Sequence, residues 1–499
     1  MVNVQAAHPR SLLVAPAPAR PQTARPMLRP APVEKKDFGV PQYQAPDRPL
    51  KVVNKKRRKQ TTRRKLVLRG AVASFVIVAT IGGLLAWNGY VKLHKVFRGT
   101  STVAALAAKP VAPGQLNGEG DGRVNILLLG IGGQGHDGPD LTDTIMLLSV
   151  DPVNHTAALL SIPRDLWVQQ PIPYIAKQQK INAVYESGKY SYIGKMDSSN
   201  DNAAAIEAGF KNLDEVVEKV TGVNVNYHVL VDFQAFKQAI DTVGGVTVDV
   251  PTPLVDPTMA WENHNNPILA AAGVQHMDGT QALLYARSRE TSSDFARSER
   301  QRSIIVALKD KVLTAGTLSN PTKIEALTNA FGDNVFSDMS TQGAERLYTI
   351  MKEVGDNNIS SIGLTTPPHQ LIKTGRVGNL SVDLPTAGLG DYTDIQNYVH
   401  SQLPDGYLVK ERAPVTIVSH TVDGGAVTAT LLRSYGYNVT NAITTDQPVP
   451  QLTLVDLSGG DDPYTLHYLQ NRYHVTPVPQ LPAGITIPAG SAKFVIIEP

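Results

Sequence analysis

The fold is decided by residues 125–165, which read NILLLGIGGQGHDGPDLTDTIMLLSVDPVNHTAALLSIPRD. Three apolar runs in this stretch, Asn125–Leu129, Thr144–Val150 and Thr156–Ile162, have the length and composition of buried strands. Asp151–Asn154 reads Asp-Pro-Val-Asn, which is typical of a turn. The stretch therefore predicts three strands, with an acid-bearing glycine loop between the first two.

The glycine loop matches a nucleotide-binding sequence pattern, but its spacing does not fit that function. Gly130–Gly135 reads GIGGQG, the GxGxxG pattern of dinucleotide-binding proteins, and Asp151 falls near the position of a ribose-binding acid. Nine residues separate Gly135 from Ile145, whereas a parallel crossover needs about a dozen or more and a helix. The intervening HDGPDLTD has no apolar stripe. We therefore reject a nucleotide-binding fold.

Helical spacing follows the strands. Apolar residues recur at helical intervals from Ile206 to Val220, Ala235–Thr242 predicts a second helix, and Ser298–Leu313 predicts a third. Gly244-Gly245 ends the second helix ahead of the strand VTVDV. Strands mixed with helices indicate a layered α/β domain, and we place its core at residues 122–318.

Residues 319–410 are assigned to an extension of this domain and a connector, and residues 411–499 to a separate small α/β domain. The second assignment rests on alternating strand and helix patterns. The predicted order is strand VTIVSH, helix Ala426–Tyr435, strand LTLVDL, helix Tyr464–Tyr473 and strand KFVIIEP.

The N-terminal region differs sharply from the rest of the chain. Residues 1–54 are rich in proline and predict a disordered tail, and residues 55–69 form a basic segment. Gly70–Trp87 carries no charge over 18 residues and predicts a transmembrane helix at residues 70–88. Nine basic residues precede this segment within residues 55–69, which predicts a cytoplasmic N-terminus and an extracellular catalytic domain on a single-pass membrane protein.

Composition excludes several classes of protein. The chain has no cysteine, so disulfides, thiolate metal sites and cysteine nucleophiles are excluded. Residues 1–69 hold 17 basic and three acidic residues, which leaves 30 basic and 41 acidic residues for the rest. The basic run alone could bind nucleic acid, but the apolar segment beside it favours a membrane and no nucleic-acid partner. Residues 99–121, rich in Ala, Gly and Pro, predict a linker that holds the next domain off the membrane.

Charged residues gather in the 122–318 region. Arg287 and Arg289 alternate in LLYARSRE, which we interpret as a strand with both arginines on one face. Arg297 and Gln301 begin the apolar face of the third predicted helix, as expected of a helix that lines a pocket. Arginines suit phosphate oxygens and aspartates suit Mg²⁺, so the set predicts a diphosphate site. The alternative is a set of surface ion pairs. The other candidates are Asp137, Asp140, Asp143, Arg164 and Asp165.

Seven short motifs occur in an order that resembles the LytR-CpsA-Psr family of cell-wall glycopolymer transferases. They are Asn125–Gly130, Thr142–Thr144, Ile162–Asp165, Lys180–Gly188, Val231–Phe233, Asp241–Val246 and Tyr285–Gln301. The tail after residue 411 is similar to the LytR C-terminal domain. The resemblance implies an α-β-α layered fold with a mixed central sheet and a long apolar groove for a polyprenyl chain.

The resemblance also implies roles for residues. Asp143 matches a ligand of Mg²⁺ (or Mn²⁺). The residues that match those holding the lipid diphosphate are Arg164, Arg287, Arg289, Arg297 and Gln301. The family usually has an aspartate at the position of Gly132 and often an arginine at that of Leu141, so the second metal carboxylate is open, with Asp137 or Asp140 as replacements.

The implied activity is transfer of a glycan from a polyprenyl (undecaprenyl) diphosphate to peptidoglycan or another wall acceptor. Asp165 and Asp294 are the candidate general bases. Two alternatives stay open: a pyrophosphatase that uses the same site with water as acceptor, and a non-catalytic wall-binding or regulatory anchor. The 12 histidines show no zinc-binding spacing, and no GxSxG motif is present, which disfavours metalloprotease and serine hydrolase chemistry.

Overall fold

The computed structural model describes residues 96–100, 102–107, 109, 111–174, 176–196, 202–288, 294–314, 334–365 and 369–499. The predicted tail, basic segment and transmembrane helix (residues 1–54, 55–69 and 70–88) lie outside the described residues, as does Arg289. Within the described residues, no helix combines the length and apolar character that crossing a bilayer requires.

The described residues form both strands and helices. The strands are β1 Val124–Ile131, β2 Thr142–Asp151, β3 Thr156–Ser161, β4 Trp167–Gln169, β5 Gln178–Lys180, β6 Tyr227–Asp232, β7 Val246–Val250, β8 Leu254–Val255, β9 Ile268–Ala270, β10 Gly273–Met277, β11 Val335–Ser337, β12 Ile359–Gly363, β13 Ile372–Val377, β14 Leu380–Pro385, β15 Pro414–Ser419, β16 Asn438–Thr444, β17 Thr453–Asp456 and β18 Phe494–Ile497. The α-helices are α1 Val184–Ile193, α2 Ala203–Thr221, α3 Phe233–Thr242, α4 Gly279–Arg287, α5 Asp294–Thr314, α6 Thr341–Glu353, α7 Thr393–Gln402, α8 Gly406–Glu411, α9 Val422–Ser434 and α10 Pro463–Tyr473.

A mixed six-stranded sheet in the order β11-β6-β1-β2-β3-β12 forms the centre of the first domain. Strands β1, β2 and β3 are antiparallel neighbours, while β6 and β12 pair in parallel with β1 and β3. Both faces of the sheet are buried, with Leu127 and Leu147 in one core and Ile126 and Met146 in another. This arrangement confirms a mixed α/β fold with a central mixed sheet.

The three strands and three helices predicted from apolar spacing are confirmed. Helix α2 shows why its sequence folds as it does, because the Asn202 side chain accepts a hydrogen bond from the Ala205 amide and Gly222 ends the helix at φ 72°. The antiparallel pairing of β1 and β2 also agrees with the rejection of a nucleotide-binding crossover.

The strand predicted at LLYARSRE is wrong, because Gly279–Arg287 is an α-helix. Asp278 and Gln281 form a capping box at its start, a helix signal that the alternating arginines concealed. Ala282, Tyr285 and Ala286 then face one core at helical spacing. Arg287 is therefore the last residue of a helix rather than part of an arginine-bearing strand face.

The C-terminal domain has one more strand than predicted. Its sheet order is β16-β15-β18-β17, and β16, Asn438–Thr444, lies between the predicted helix and strand. The sequence NVTNAIT was not recognised as a strand because β16 is an edge strand that buries only Val439. The five strands and helices predicted for residues 411–499 are confirmed within a few residues at their ends.

The described part of residues 99–121 is not a free linker. Val111 and Leu116 are buried in the core of the C-terminal domain, and Leu106 is buried in a core of the first domain. The Val103 amide donates to the Tyr227 hydroxyl, 2.8 Å away, and the Val111 carbonyl accepts from the Tyr464 hydroxyl at 2.7 Å. The segment therefore packs against both domains, because its few Val and Leu residues fill gaps that composition alone does not reveal.

Candidate active site

An apolar cavity of about 370 Å³ lies between the central sheet and three helices. Leu128, Met146, Val229 and Val231 line it from β1, β2 and β6, since alternate strand residues share one face. The opposite wall comes from α3, α4 and α5. Its main apolar side chains are Phe236, Leu283, Ile304, Ile305 and Leu308.

The polar residues of this cavity gather where β1 ends and the glycine loop begins. This polar end is lined by Thr144, Asp232, Arg287 and Gln301. Thr144 pairs with Gly130 and Asp232 pairs with Ile131, the last two residues of β1. The Gln301 amide donates to the Thr144 hydroxyl over 3.3 Å. The prediction that the apolar face of the third helix begins with polar residues lining a pocket is confirmed for Gln301.

Arg287 is held at this end by two contacts. Its guanidinium lies 4.7 Å from the centre of the Phe233 ring and donates to Glu262 over 2.6 Å. The Arg287 side chain is 31% exposed. A cation that is held in place and still accessible can bind an anionic group at the polar end of the cavity.

A second cluster lies at the same strand end. Asp143 precedes Thr144 at a register shift between β1 and β2, where Gly130 pairs with Thr144 and Ile131 with Thr142. Arg164 donates to Asp143 over 2.6 Å, and the Asn182 amide approaches the same carboxylate at 3.4 Å. The Asp143 side chain is 38% exposed and that of Arg164 is 28% exposed. This pair is therefore open to a ligand at the end of the sheet.

Asp165 supports this second cluster. Lys180 donates to one of its oxygens over 2.6 Å, and Arg164 Nε lies 3.8 Å from the other. Asp165 therefore lies between Lys180 and Arg164, where it helps to position the Arg164 guanidinium.

Asp140 is not available as a metal ligand, and that prediction is wrong. Its carboxylate is buried and pairs with Lys189 Nζ at 2.9 Å, and it also accepts from the Tyr190 hydroxyl at 2.8 Å. The loop folds this aspartate into the protein, while Asp137 stays exposed in the same loop. Among the described residues, Asp137 and Asp143 form no cluster with Asp140 that could hold a metal ion.

The remaining predicted residues belong to α5 or precede it. Arg297 is buried in this helix, and Asp294 is its first residue. Arg300, which is also buried, donates to the Tyr285 carbonyl at 2.9 Å and to the Ser288 carbonyl, so it braces the end of α4. Burial lowers the pKa of Arg300, although the Tyr285 hydroxyl opposes this.

Sequence reasoning left several residues of the site without a role. Asn182 contacts Asp143 and Lys180 contacts Asp165, and both belong to the motif KINAVYESG, which carried the family resemblance. Glu186 lies in the same motif. Burial, followed by the charge of Asp140, raises the pKa of Glu186 to about 7. The motif indicated that this segment belongs to the site, but the sequence does not indicate which of its side chains face the site.

The donor set for a metal ion is small. Among the described residues, no group of three or more His, Asp or Glu side chains is placed to hold a metal. Asp143 offers an accessible carboxylate at the end of the sheet. Mg²⁺ in phosphate sites is bound through one or two carboxylates, with substrate phosphates and waters completing the shell. Asp143 therefore fits a metal that binds together with a diphosphate.

An α/β domain with an apolar cavity and with arginines and a carboxylate at one end has the architecture of a site for an amphiphilic anion. This class agrees with the comparison of the chain with known families. The chain belongs to the LytR_cpsA_psr family, whose model matches residues 91–386. The resemblance found in its motifs is thereby confirmed.

Named relatives match part of the chain. The chain is 30% identical over 226 residues to a protein of Bacillus subtilis (strain 168) named polyisoprenyl-teichoic acid–peptidoglycan teichoic acid transferase TagV, and the match covers 45% of this chain and 51% of TagV. It is 31% identical over 230 residues to the TagU transferase of Oceanobacillus iheyensis, covering 45% and 62%. The chain thus spans less than two thirds of the length of either relative.

Solved structures are similar over a comparable part of the chain. The crystal structure of Bacillus subtilis TagV is 27% identical, with a TM-score of 0.41, and covers 56% of this chain and 97% of that structure.

Proposed function

We propose that this chain is a membrane-anchored phosphotransferase that moves a glycan from a polyprenyl diphosphate to peptidoglycan or another wall acceptor. The observation that carries the proposal is the apolar cavity whose polar end, with Arg287 and Gln301, adjoins the Asp143–Arg164 pair. Family membership and the names of the relatives support it.

The cavity suits the lipid part of such a substrate. Ligand pockets usually enclose about 300–1,000 Å³ and are mostly apolar with few polar groups, and this cavity of about 370 Å³ has its polar groups at one end. A polyprenyl chain has no hydrogen-bonding groups, so it buries favourably against Val, Leu, Ile and Phe side chains. Its diphosphate would then lie at the polar end.

The two arginines suit the diphosphate. Arg287 and Arg164 are each paired with a carboxylate, Glu262 or Asp143, and each is still partly exposed. A guanidinium can share its five donors between a carboxylate and a phosphate oxygen. The pairing therefore holds each arginine in position before the substrate binds, which lowers the entropic cost of binding.

Asp143 is the residue that would hold Mg²⁺ or Mn²⁺. When bound, such an ion would neutralise charge on the diphosphate. Asn182 and Arg164 orient the Asp143 carboxylate, and Lys180 and Asp165 orient Arg164.

The reaction is a phosphoryl-type transfer at the glycan-proximal phosphorus. An acceptor hydroxyl oxygen attacks this phosphorus, a new phosphorus–oxygen bond forms, and the bond to the bridging oxygen breaks. Polyprenyl phosphate leaves with that bridging oxygen, and the hydroxyl proton goes to a base. Asp165 and Asp294 are the two candidates for this base. Positioning and charge neutralisation supply most of the rate in such transfers.

The membrane location is part of the proposal. Residues 70–88 would span the bilayer, with the N-terminus in the cytoplasm and the catalytic domain outside, as flanking charge predicts. Protease added to intact cells would remove the catalytic domain and spare the N-terminal tail. Survival of the catalytic domain in intact cells, together with its loss after lysis, would reject this orientation.

The activity is tested with the full chain in detergent, Mg²⁺ and a polyprenyl-diphosphate glycan labelled in the sugar, with and without peptidoglycan. We expect label to move to the polymer. Asp143→Ala should reduce the rate by about 10²–10³-fold, as expected when one group that stabilises transition-state charge is removed. Lys352→Ala, which removes an exposed lysine on α6, is the matched control and should leave the rate unchanged.

Three outcomes separate the hypotheses. Label on the polymer supports transfer. Label released as free sugar phosphate, with or without acceptor, points to hydrolysis. Binding of the lipid with no movement of label under any acceptor condition would contradict both and favour a non-catalytic anchor.

A further inference from the structure

A second cavity, of about 190 Å³, lies at the junction of the two domains. It is bounded by the segment that carries Lys109, the turn after β2, helix α6 and helix α8. Its charged lining residues are Lys109, Arg346 and Lys410, and the other residues that line it are uncharged. We name it the junction cavity.

The three cations have no acidic partner within the described part of the chain. No ion pair or hydrogen bond of Lys109, Arg346 or Lys410 occurs among those residues, and no carboxylate lines the cavity. Like charges that share a concave site repel each other, so an anion bound between them would stabilise the arrangement.

Three acidic side chains on the surrounding elements are already engaged with other partners. Asp151, at the end of β2, accepts from the Asn154 amide group at 2.8 Å and lies 3.6 Å from Arg123. Glu411, next to Lys410, accepts from the Thr465 hydroxyl at 2.7 Å. Glu353, on α6, lies 3.0 Å from the imidazole of His155. None of them neutralises the junction cavity.

Arg346 provides an independent observation. Its Nε atom is buried and has no hydrogen-bond partner among the described residues. Buried donors nearly always have a partner in native proteins, and an exception is commonly explained by a bound ion or water. An oxyanion in the junction cavity would satisfy this donor and the positive charge together.

The junction cavity is separate from the active site. Asp143 is the second residue of β2, and Pro152, which lines the junction cavity, follows the last residue of the same strand. A strand rises about 3.3 Å per residue, so the backbone positions of Asp143 and Pro152 are about 30 Å apart. A ligand bound at one site therefore cannot contact the other unless it is a polymer.

We propose that Lys109, Arg346 and Lys410 form a binding site for a phosphodiester group of an anionic glycan chain. One guanidinium and two ammonium groups match a tetrahedral oxyanion, and a cavity of this size admits one phosphate with part of its neighbouring units. A concave site of this kind does not fit the plane of a lipid bilayer. The choice of a polymer-borne phosphate over a free one rests on the proposed function, in which the chain handles phosphate-linked glycans.

The test measures binding rather than transfer. A synthetic glycerol-phosphate oligomer, inorganic phosphate and phosphatidylglycerol vesicles are titrated separately into the full chain by calorimetry. We expect the oligomer to bind more tightly than inorganic phosphate, with an affinity that falls as salt rises. The double variant Lys109→Ala, Lys410→Ala, which changes exposed side chains, should weaken oligomer binding by about tenfold or more, the effect of losing charge-assisted hydrogen bonds.

Two controls keep the proposal falsifiable. Lys352→Ala removes an exposed lysine from α6, the helix that carries Arg346, and should bind the oligomer normally. Asp143→Ala should also bind it normally even though transfer is lost. Failure of the transfer assay therefore leaves this result intact.

Three results would overturn the proposal. One is unchanged oligomer binding by the double variant. Another is loss of binding in Asp143→Ala equal to that of the double variant, which would place the oligomer at the active site. The third is lysine-dependent binding to vesicles without binding to the oligomer, which would identify a membrane surface as the ligand.

Discussion

Asp140 and Asp143 are three residues apart at the same strand start, and the protein uses them in opposite ways. Asp140 pairs with Lys189 in the interior, where the two side chains are 6% and 0% exposed. Asp143 pairs with Arg164 at the end of the sheet, where they are 38% and 28% exposed. Both pairs have short contacts, of 2.9 Å and 2.6 Å. Contact distance therefore does not distinguish a structural ion pair from a candidate functional one, whereas access to solvent does.

We expect the largest effect on the free energy of unfolding when the buried Asp140–Lys189 pair is broken. Lys189→Met leaves the Asp140 carboxylate buried with only the Tyr190 hydroxyl to satisfy it. Breaking a buried pair in this way costs about 3–5 kcal/mol of the free energy of unfolding. Urea unfolding would measure it, with Lys211→Met, at an exposed lysine of α2, as the matched control. Equal stability of the two variants would show that Asp140 does not need its partner.

A smaller effect is expected at Glu186, which lies close to the buried pair. Its pKa is raised to about 7 by burial and then by the charge of Asp140. A raised pKa in the folded state stabilises the protein at low pH, and this stabilisation is lost as pH rises from the unfolded value near 4.5 towards 7. Glu186→Gln should therefore increase the free energy of unfolding at pH 8 by about 1–2 kcal/mol, after allowance for partial solvent exposure.

The measurement for Glu186 is a set of urea unfolding curves between pH 4 and pH 8. The gain over the unmodified chain should vanish at the acidic end, where both side chains are neutral. Glu207→Gln, at an exposed glutamate of α2, should show no such pH dependence. A constant difference across the whole range would mean that ionisation of Glu186 does not limit stability.

The smallest effect is expected at the accessible pair. Arg164→Gln breaks a partly exposed ion pair, which contributes about 0–1 kcal/mol to the free energy of unfolding. The same unfolding assay should hardly separate this variant from Arg376→Gln, at an exposed arginine of β13. A loss as large as that of Lys189→Met would remove the distinction between the two pairs and make Arg164 a structural residue.

The sequence predicted the elements whose apolar spacing is unambiguous. Strands β1 to β3 and helices α2, α3 and α5 were recognised because each buries side chains at a regular interval. Strand β16 was missed because an edge strand buries little. Helix α4 was predicted as a strand because alternating arginines at its end outweighed the capping box at its start.

The residues of the site also fall into those that the sequence could predict and those that it could not. The sequence indicated Arg297 and Gln301 at the start of a pocket wall, and Gln301 does line the cavity, whereas Arg297 is buried in α5. It could not indicate that Asp140 turns inwards, because that depends on Lys189, which is distant in sequence and adjacent only in the folded chain. Long-range partners of loop residues are set by tertiary packing, and no local pattern records them.

The described part of residues 99–121 contributes side chains to two cores, so it limits where the chain can be cut into separate fragments. Val111 and Leu116 complete the core of the C-terminal domain although they precede β1. Glu119 pairs with Arg472 at 2.6 Å, and Asp405 accepts from the Tyr468 hydroxyl at 3.3 Å. A cut after residue 410 would leave these apolar and charged groups without their counterparts. The C-terminal domain is therefore not a detachable module, and a shuffled or truncated version would need residues 111–122 redesigned with it.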